Sequence, residues 1–314
     1  MKIIVTGALG HIGSHLIREL PNSFPESEII LIDSLLTQRY ASLFDLPAKQ
    51  NFTFINADVR EFNFESILDA NSYIVNLAAI TDAAGSFDNS EEVEKNNFDC
   101  TYVLAEAASK SGAKLIHISS TSVYGTQSNL VDESCPAKDL KPQSPYADSK
   151  LKEELLLERY SKSQNLQYLC FRFGTIYGFS IGMRFHTAVN KFCWQACLGE
   201  ELTIWETAYH QKRPYLDLTD AARAIIFSIE KNLFKNTTYN VLTNNLAVKD
   251  VSDTIQKYIP GMKIKFVKNK IMNQLSYEVS SKKFLEEGFL YQGDLEKSIQ
   301  DTIFSLPHKQ KEKQ

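Results

Sequence analysis

The stretch Lys2-Ile3-Ile4-Val5-Thr6 runs apolar and β-branched into Gly7-Ala8-Leu9-Gly10-His11-Ile12-Gly13, and then into Ser14-His15-Leu16-Ile17-Arg18-Glu19-Leu20. Leu16, Ile17 and Leu20 recur at helical spacing, so the order is strand, glycine turn, helix. Glycines let the backbone turn tightly and come close to a pyrophosphate, which then meets the N-terminal amides of the helix. Roughly 20 residues beyond the last glycine, Ile29-Ile30-Leu31-Ile32 reads as a second buried strand ending in Asp33. An acid at that point accepts hydrogen bonds from the ribose hydroxyls of NAD and repels the 2′-phosphate of NADP. Strand and helix patterns go on alternating through the N-terminal part, which predicts an α/β fold with a parallel, doubly wound sheet.

A second constellation lies in Ser144-Pro145-Tyr146-Ala147-Asp148-Ser149-Lys150. In a helix Tyr146 and Lys150 share one face, so the ammonium can sit beside the phenol. A free phenol loses its proton near pH 10, and bringing it to neutrality takes roughly 3 units, or about 4 kcal/mol. One cation about 4 Å away contributes on the order of 4 kcal/mol at an effective dielectric near 20. Alone, the pair also reads as an ordinary helix-face contact. Beside the glycine turn and Asp33 it reads as the proton-handling half of a hydride-transfer site.

Composition narrows the class. At 314 residues and 43% hydrophobic content the chain suits roughly two domains with a sizeable core. No apolar run approaches the roughly 20 residues of a membrane span. Lys2 enters the first strand at once, leaving no room for a signal peptide, so the expectation is a cytoplasmic protein with no membrane partner. A net charge of −4 offers no basic surface for nucleic acid. The five cysteines show no zinc-type spacing; Cys193 and Cys197, one helical turn apart, read as reduced thiols, and no metal is expected. The basic run 308–314 reads as a solvated tail.

The G-x-x-G-x-x-G spacing, the Tyr146/Lys150 pair and the order of the remaining motifs resemble the extended short-chain dehydrogenase/reductase superfamily, and within it the NAD-dependent nucleotide-sugar epimerase/dehydratase family that includes UDP-glucose 4-epimerase-like enzymes. The resemblance runs from Met1 to about Leu306. It implies a Rossmann-type domain over residues 1–174, to which 213–243 returns, and a smaller C-terminal α/β substrate domain over 175–212 and 244–307. It implies NAD bound by Gly7, Gly10, His11, Ile12, Gly13 and Asp33, with Asp58 and Val59 at the adenine. Leu77, Ala78 and Ala79 close a cofactor-flanking strand, and Asn97 falls on the N-x-x-G-T helix with Cys100 in place of its glycine. Ser119, Tyr146 and Lys150 also meet the cofactor. Ser120, three residues before Val123-Tyr124-Gly125, takes the catalytic hydroxyl position beside Tyr146 and Lys150. A helix over 183–192 opens the substrate region. Thr121, Thr175, Asn190 and Arg213 fall at substrate positions, Arg213 as a bidentate phosphate ligand. Thr175 stands where an asparagine is frequent, and the region Tyr277 to Lys282 lacks the arginine many members place there. Helices over 91–109 and 146–163 are those that form a four-helix bundle in family homodimers.

The implied reaction is hydride chemistry on a nucleotide-diphosphate sugar, with Ser120 holding the reacting hydroxyl, Tyr146 as general base and Lys150 lowering its proton affinity. Dehydratases of the family carry an acid between the catalytic hydroxyl and Val-Tyr-Gly. Here Thr121 and Ser122 occupy that space, which disfavours 4,6-dehydration. Epimerisation, at C4, is the expected activity. Reduction of a 4-keto sugar is the enzyme alternative, and an NAD-binding protein without catalysis is the other; Asp33 favours the first, because tightly held NAD is recycled within the site.

Overall fold

The computed structural model describes residues 1–48, 51–81, 89–127, 130–268 and 277–307. Seven strands form one parallel sheet: β1 (Lys2–Thr6), β2 (Glu28–Asp33), β3 (Phe52–Asn56), β4 (Ser72–Asn76), β5 (Lys114–Ser120), β6 (Gln167–Phe173) and β10 (Thr237–Val241), in the order β10-β6-β5-β4-β1-β2-β3. Parallel strands are covered by helices on both faces and so read as unbroken apolar runs. Ile3, Ile4 and Val5 of β1, all without solvent exposure, illustrate this.

One face carries α1 (His11–Ser23), whose Leu16, Ile17 and Leu20 share a core with Ala221, Ile225 and Ile229 of α5 (Leu218–Glu230). The other carries α2 (Ser90–Ser111) and α3 (Pro145–Gln164), packed through Cys100, Leu104, Leu156, Leu157 and Tyr160. The four strands whose ends matter most to the chemistry, β1, β4, β5 and β6, lie side by side. The strand order reverses between β1 and β4, and a doubly wound sheet binds its ligand in the crevice at such a point.

The small layer is built from β7 (Thr175–Tyr177), β9 (Lys212–Asp217) and β11 (Asn244–Ala247), in the order β11-β9-β7, and from the parallel pair β8 (Leu202–Trp205) and β12 (Ile264–Val267). Its core joins α4 (Ala188–Cys197), α6 (Val248–Tyr258) and α8 (Leu295–Phe304) through Val189, Phe192, Ile204, Val251, Ile255 and Ile299. A short α7 (Lys282–Glu286) sends Phe284 into the main core. Residues 213–243 divide between layers: β9 lies in the small sheet, whereas α5 and β10 join the main one.

The helix expected over 183–192 begins later, at Ala188. The preceding loop is fastened to α1 instead. Ser180 Oγ donates to the His11 carbonyl at 2.9 Å and the Gly182 amide to Ser14 Oγ at 3.0 Å. A Cβ on Gly182 would come within 2.3 Å of the Leu9 carbonyl oxygen, an approach only glycine permits. Among the described residues no helix is long and apolar enough to cross a membrane, and no group of three or more His, Cys, Asp or Glu could hold a metal ion.

Candidate active site

A cavity of about 280 Å³ opens above the ends of β1, β4, β5 and β6 and is roofed by residues from the small layer. Its floor is the glycine turn. Gly7 has φ +63°, and a Cβ there would come within 2.6 Å of the Leu77 carbonyl oxygen, so the turn lies hard against the end of β4. A Cβ on Gly13 would come within 2.5 Å of the Ala8 carbonyl oxygen, so that glycine lets the helix start directly beneath the turn. Gly10 caps α1 without a side-chain hydrogen bond, and no acid occupies the first helical turn. The amides and dipole there face a cavity rimmed by Arg39, which suits a diphosphate. Asp33 ends β2 and accepts hydrogen bonds from the Leu9 amide at 3.0 Å and the Leu35 amide at 2.9 Å. These residues fit NAD: glycines give close approach, a helix N-terminus meets the pyrophosphate, and a carboxylate waits at the ribose end of the turn.

His11 tethers the turn to the roof. Its Nε2–H donates to the Gly178 carbonyl at 2.8 Å, while burial, reinforced by the Arg184 charge, lowers its pKa to about 3. The ring is therefore neutral across the physiological range. The loop it anchors carries Arg184, which donates to Thr81 Oγ1 and lines the cavity.

The chemistry-bearing residues arrive from two elements. Ser120 is the last residue of β5 and opens a 3₁₀ turn, where its Oγ accepts from the Ser122 amide at 3.1 Å and the Ser122 hydroxyl at 2.8 Å. Both acceptor positions are filled, so the O–H is what Ser120 can offer a ligand. Tyr146 enters through α3, which begins because Pro145 fixes the first helical φ and Ser144 Oγ caps the Ala147 amide at 3.2 Å. One turn on, Lys150 Nζ stands 5.9 Å from the centre of the Tyr146 ring and 3.0 Å from Glu153 Oε2. Burial opposes its charge, but Glu153 and then Tyr146 more than offset this and raise its pKa.

Of the residues expected in the site, Gly7, Gly10, His11, Ile12, Gly13, Leu77, Ala79, Ser119, Ser120, Thr121, Tyr146, Lys150, Thr175 and Arg213 line the cavity. Others are brought to neighbouring positions without lining it. Asp58 is held by Arg60 Nη2 at 2.5 Å, a pairing that keeps its carboxyl below the usual range. Val59 and Ala78 pack into the core beneath. Asn97 is fully buried and clamps Ile80, accepting from its amide at 2.8 Å and donating to its carbonyl at 3.0 Å. Asn190 is also fully buried, accepting from the Gly178 amide at 3.2 Å and donating to the Arg184 carbonyl at 3.1 Å. It shapes the loop that carries Arg184. Ser119 lines the cavity, while its Oγ is engaged elsewhere, donating to Glu154 at 2.5 Å.

Arg39, Thr81, Arg184, Thr187 and Tyr277 also line the cavity and were not marked as site residues by their sequence pattern. Tyr277 lies 3.4 Å from Thr121 Oγ1, and the Thr121 hydroxyl donates to the Phe173 carbonyl at 3.3 Å. Among the described lining residues there are four cations, Arg39, Lys150, Arg184 and Arg213, and no carboxylate.

Residues 3–241 match the model of the NAD dependent epimerase/dehydratase family. The chain is 30% identical over 96% of its length to a trifunctional UDP-glucose 4,6-dehydratase/UDP-4-keto-6-deoxy-D-glucose 3,5-epimerase/UDP-4-keto-L-rhamnose-reductase of Arabidopsis thaliana, of which it spans 46%. It is 30% identical over 77% of its length to an uncharacterized UDP-glucose epimerase of Bacillus subtilis (strain 168), covering 76% of that protein. Among solved structures, the UDP-glucuronic acid 4-epimerase from Bacillus cereus in complex with UDP-glucuronic acid and NAD superposes with a TM-score of 0.84 at 25% identity, over 97% of this chain and 98% of that one.

Proposed function

The chain belongs to the NAD dependent epimerase/dehydratase family, and from that premise we propose that it is a nucleotide-sugar epimerase acting at C4, with Ser120, Tyr146 and Lys150 as its catalytic residues. The observation that carries this reading is the convergence of those three side chains on the cavity floored by the glycine turn. Bound NAD supplies reversible hydride acceptance. Ser120 donates its O–H to the sugar oxygen and orients it. Tyr146 takes the hydroxyl proton and returns it, and Lys150, held in place beside it, favours the phenolate by its charge. Thr121 and Ser122, which fill the space between Ser120 and Val123, offer hydroxyls and no carboxyl to act as the acid of an elimination, which speaks against dehydration. Arg213 and Arg184 suit the diphosphate of the substrate by charge and by the two parallel hydrogen bonds a guanidinium can give. The Bacillus cereus 4-epimerase supports C4. The reductase named in the Arabidopsis relative keeps a 4-keto reduction as the second reading.

The test is to extract the cofactor from purified protein and incubate the protein with a panel of neutral and acidic nucleotide sugars, following products by NMR. Interconversion of C4 epimers without added cofactor is expected. Stoichiometric consumption of reduced cofactor would favour the reductase, and failure to bind NAD would sink both readings.

We propose in addition that the protein is a homodimer through α2 and α3, which carry the exposed apolar side chains Tyr102 and Leu155. Sedimentation equilibrium is expected to give twice the chain mass, and Leu155→Glu to shift it towards the monomer. A monomeric wild-type protein at micromolar concentration would reject this.

A further inference from the structure

Beneath Lys150 lies a cluster that neither the glycine turn nor the catalytic three require. Glu153, fully buried one helical turn after Lys150, places Oε2 3.0 Å from the ammonium, accepts the Thr101 hydroxyl of α2 at 2.8 Å, and stands 3.3 Å from His117 Nε2 of β5. Its other oxygen, Oε1, has no hydrogen-bond partner among the described residues. A buried carboxylate with an oxygen unsatisfied is a burden on stability, so packing alone does not account for it.

The other groups facing the ammonium are neutral. His117 has its pKa lowered well below the ordinary range, by burial first and Lys150 second. The Cys170 thiol of β6 is pushed well up by burial, and that of Cys100 on α2 up to about 12 for the same reason. Tyr146, on the same helix, is the remaining group whose charge acts on the ammonium. Glu153 is thus the charge that decides how much of the Lys150 field reaches the phenol.

We propose that Glu153 is a positioning residue that fixes the Lys150 ammonium and, by pairing with it, sets the pH at which Tyr146 gives up its proton. The inference rests on the reading of Tyr146 as the proton-handling group. A free ammonium favours the phenolate strongly; an ammonium paired to a carboxylate does so less. The pair therefore places the acid limb of the pH–rate profile higher than an unpaired Lys150 does.

Glu153→Gln removes the charge and keeps an amide oxygen able to accept from both Thr101 and Lys150. The acid limb of kcat against pH is expected to move down by about one unit, the scale of shift a nearby charge produces. Thr101→Val withdraws a hydrogen bond from the carboxylate, strengthens its hold on Lys150, and is expected to move the limb the other way by a few tenths of a unit. Loss of packing moves melting temperature in both variants without shifting the limb in opposite directions. An unmoved limb in Glu153→Gln, or in Thr101→Val if the first variant does not fold, overturns the proposal. If the wild-type protein turns over no nucleotide sugar, the functional reading fails separately. The Glu153 proposal is then read from the ultraviolet phenolate signal of each protein minus that of its Tyr146→Phe counterpart across pH, with the same directions expected.

Discussion

Replacing Tyr146 by phenylalanine is expected to reduce turnover by about 10²- to 10⁴-fold, the range a positioned general base contributes. The substitution deletes one oxygen and leaves the helix start intact, because Ser144 and Pro145 set that start and the Ser144 cap is on the Ala147 amide. Lys150 also keeps its place, since Glu153 holds its ammonium at 3.0 Å. NAD binding and melting temperature should therefore stay near wild type while kcat falls. A Tyr146→Phe protein with full kcat would remove the proposed base. A protein with normal kcat and a raised KM would instead make Tyr146 a binding residue, because a base acts on the reacting proton in the transition state.

The parts of this site that could be read from sequence are those whose partners are close along the chain. The glycine turn is a local instruction: Gly7 is required by its φ of +63° and Gly13 by its approach to the Ala8 carbonyl, and strand, turn and helix follow one another without interruption. Tyr146 and Lys150 are fixed by helical periodicity, and Ser120 by its place at a strand end. What the sequence hid depends on long-range packing. Arg184 reaches the cavity because a loop 170 or so residues downstream is tied to α1 by His11, Ser14 and Gly182, and no periodicity marks such a contact. Asn190 has the side chain of a phosphate ligand, yet the same loop consumes both ends of its amide.

The run Lys150-Leu151-Lys152-Glu153-Glu154 misleads in a different way. Its charges have the look of a solvated helix face, and Lys152 does behave so, pairing with Glu94 at the surface. Glu153 and Glu154 turn inward because the sheet supplies their partners, His117 from β5 for the first and Arg172 from β6 for the second. Adjacent residues on a helix point about 100° apart, so the two carboxylates enter the protein side by side and serve different neighbours. One lies under Lys150. The other lies under the strand end that carries Ser120.

That second carboxylate carries the largest stability effect expected in the chain. Arg172 and Glu154 are each more than nine-tenths buried, and the guanidinium grips the carboxylate through Nε at 3.0 Å and Nη2 at 2.6 Å while lying 4.9 Å above the centre of the Tyr124 ring. Arg172→Leu leaves the carboxylate with Ser119 as its remaining side-chain donor and is expected to cost about 3–5 kcal/mol, the usual penalty for an unpaired buried charge. Against a typical total of roughly 5–15 kcal/mol this is a large share. The double variant Glu154→Leu/Arg172→Leu removes both charges together, and much of the loss should return, because replacing a buried pair by apolar groups is often close to neutral. Urea denaturation followed by circular dichroism checks both values. A single variant as stable as wild type, or a double variant less stable than the single, would show that the pair does not behave as a buried ion pair. The same experiment reaches the active site: Ser119 Oγ is fastened to Glu154 at 2.5 Å, and Ser120 is its neighbour on the chain. In the double variant, kcat should stay below wild type even where stability has recovered, since the hydrogen bond that steadies the end of β5 is still missing.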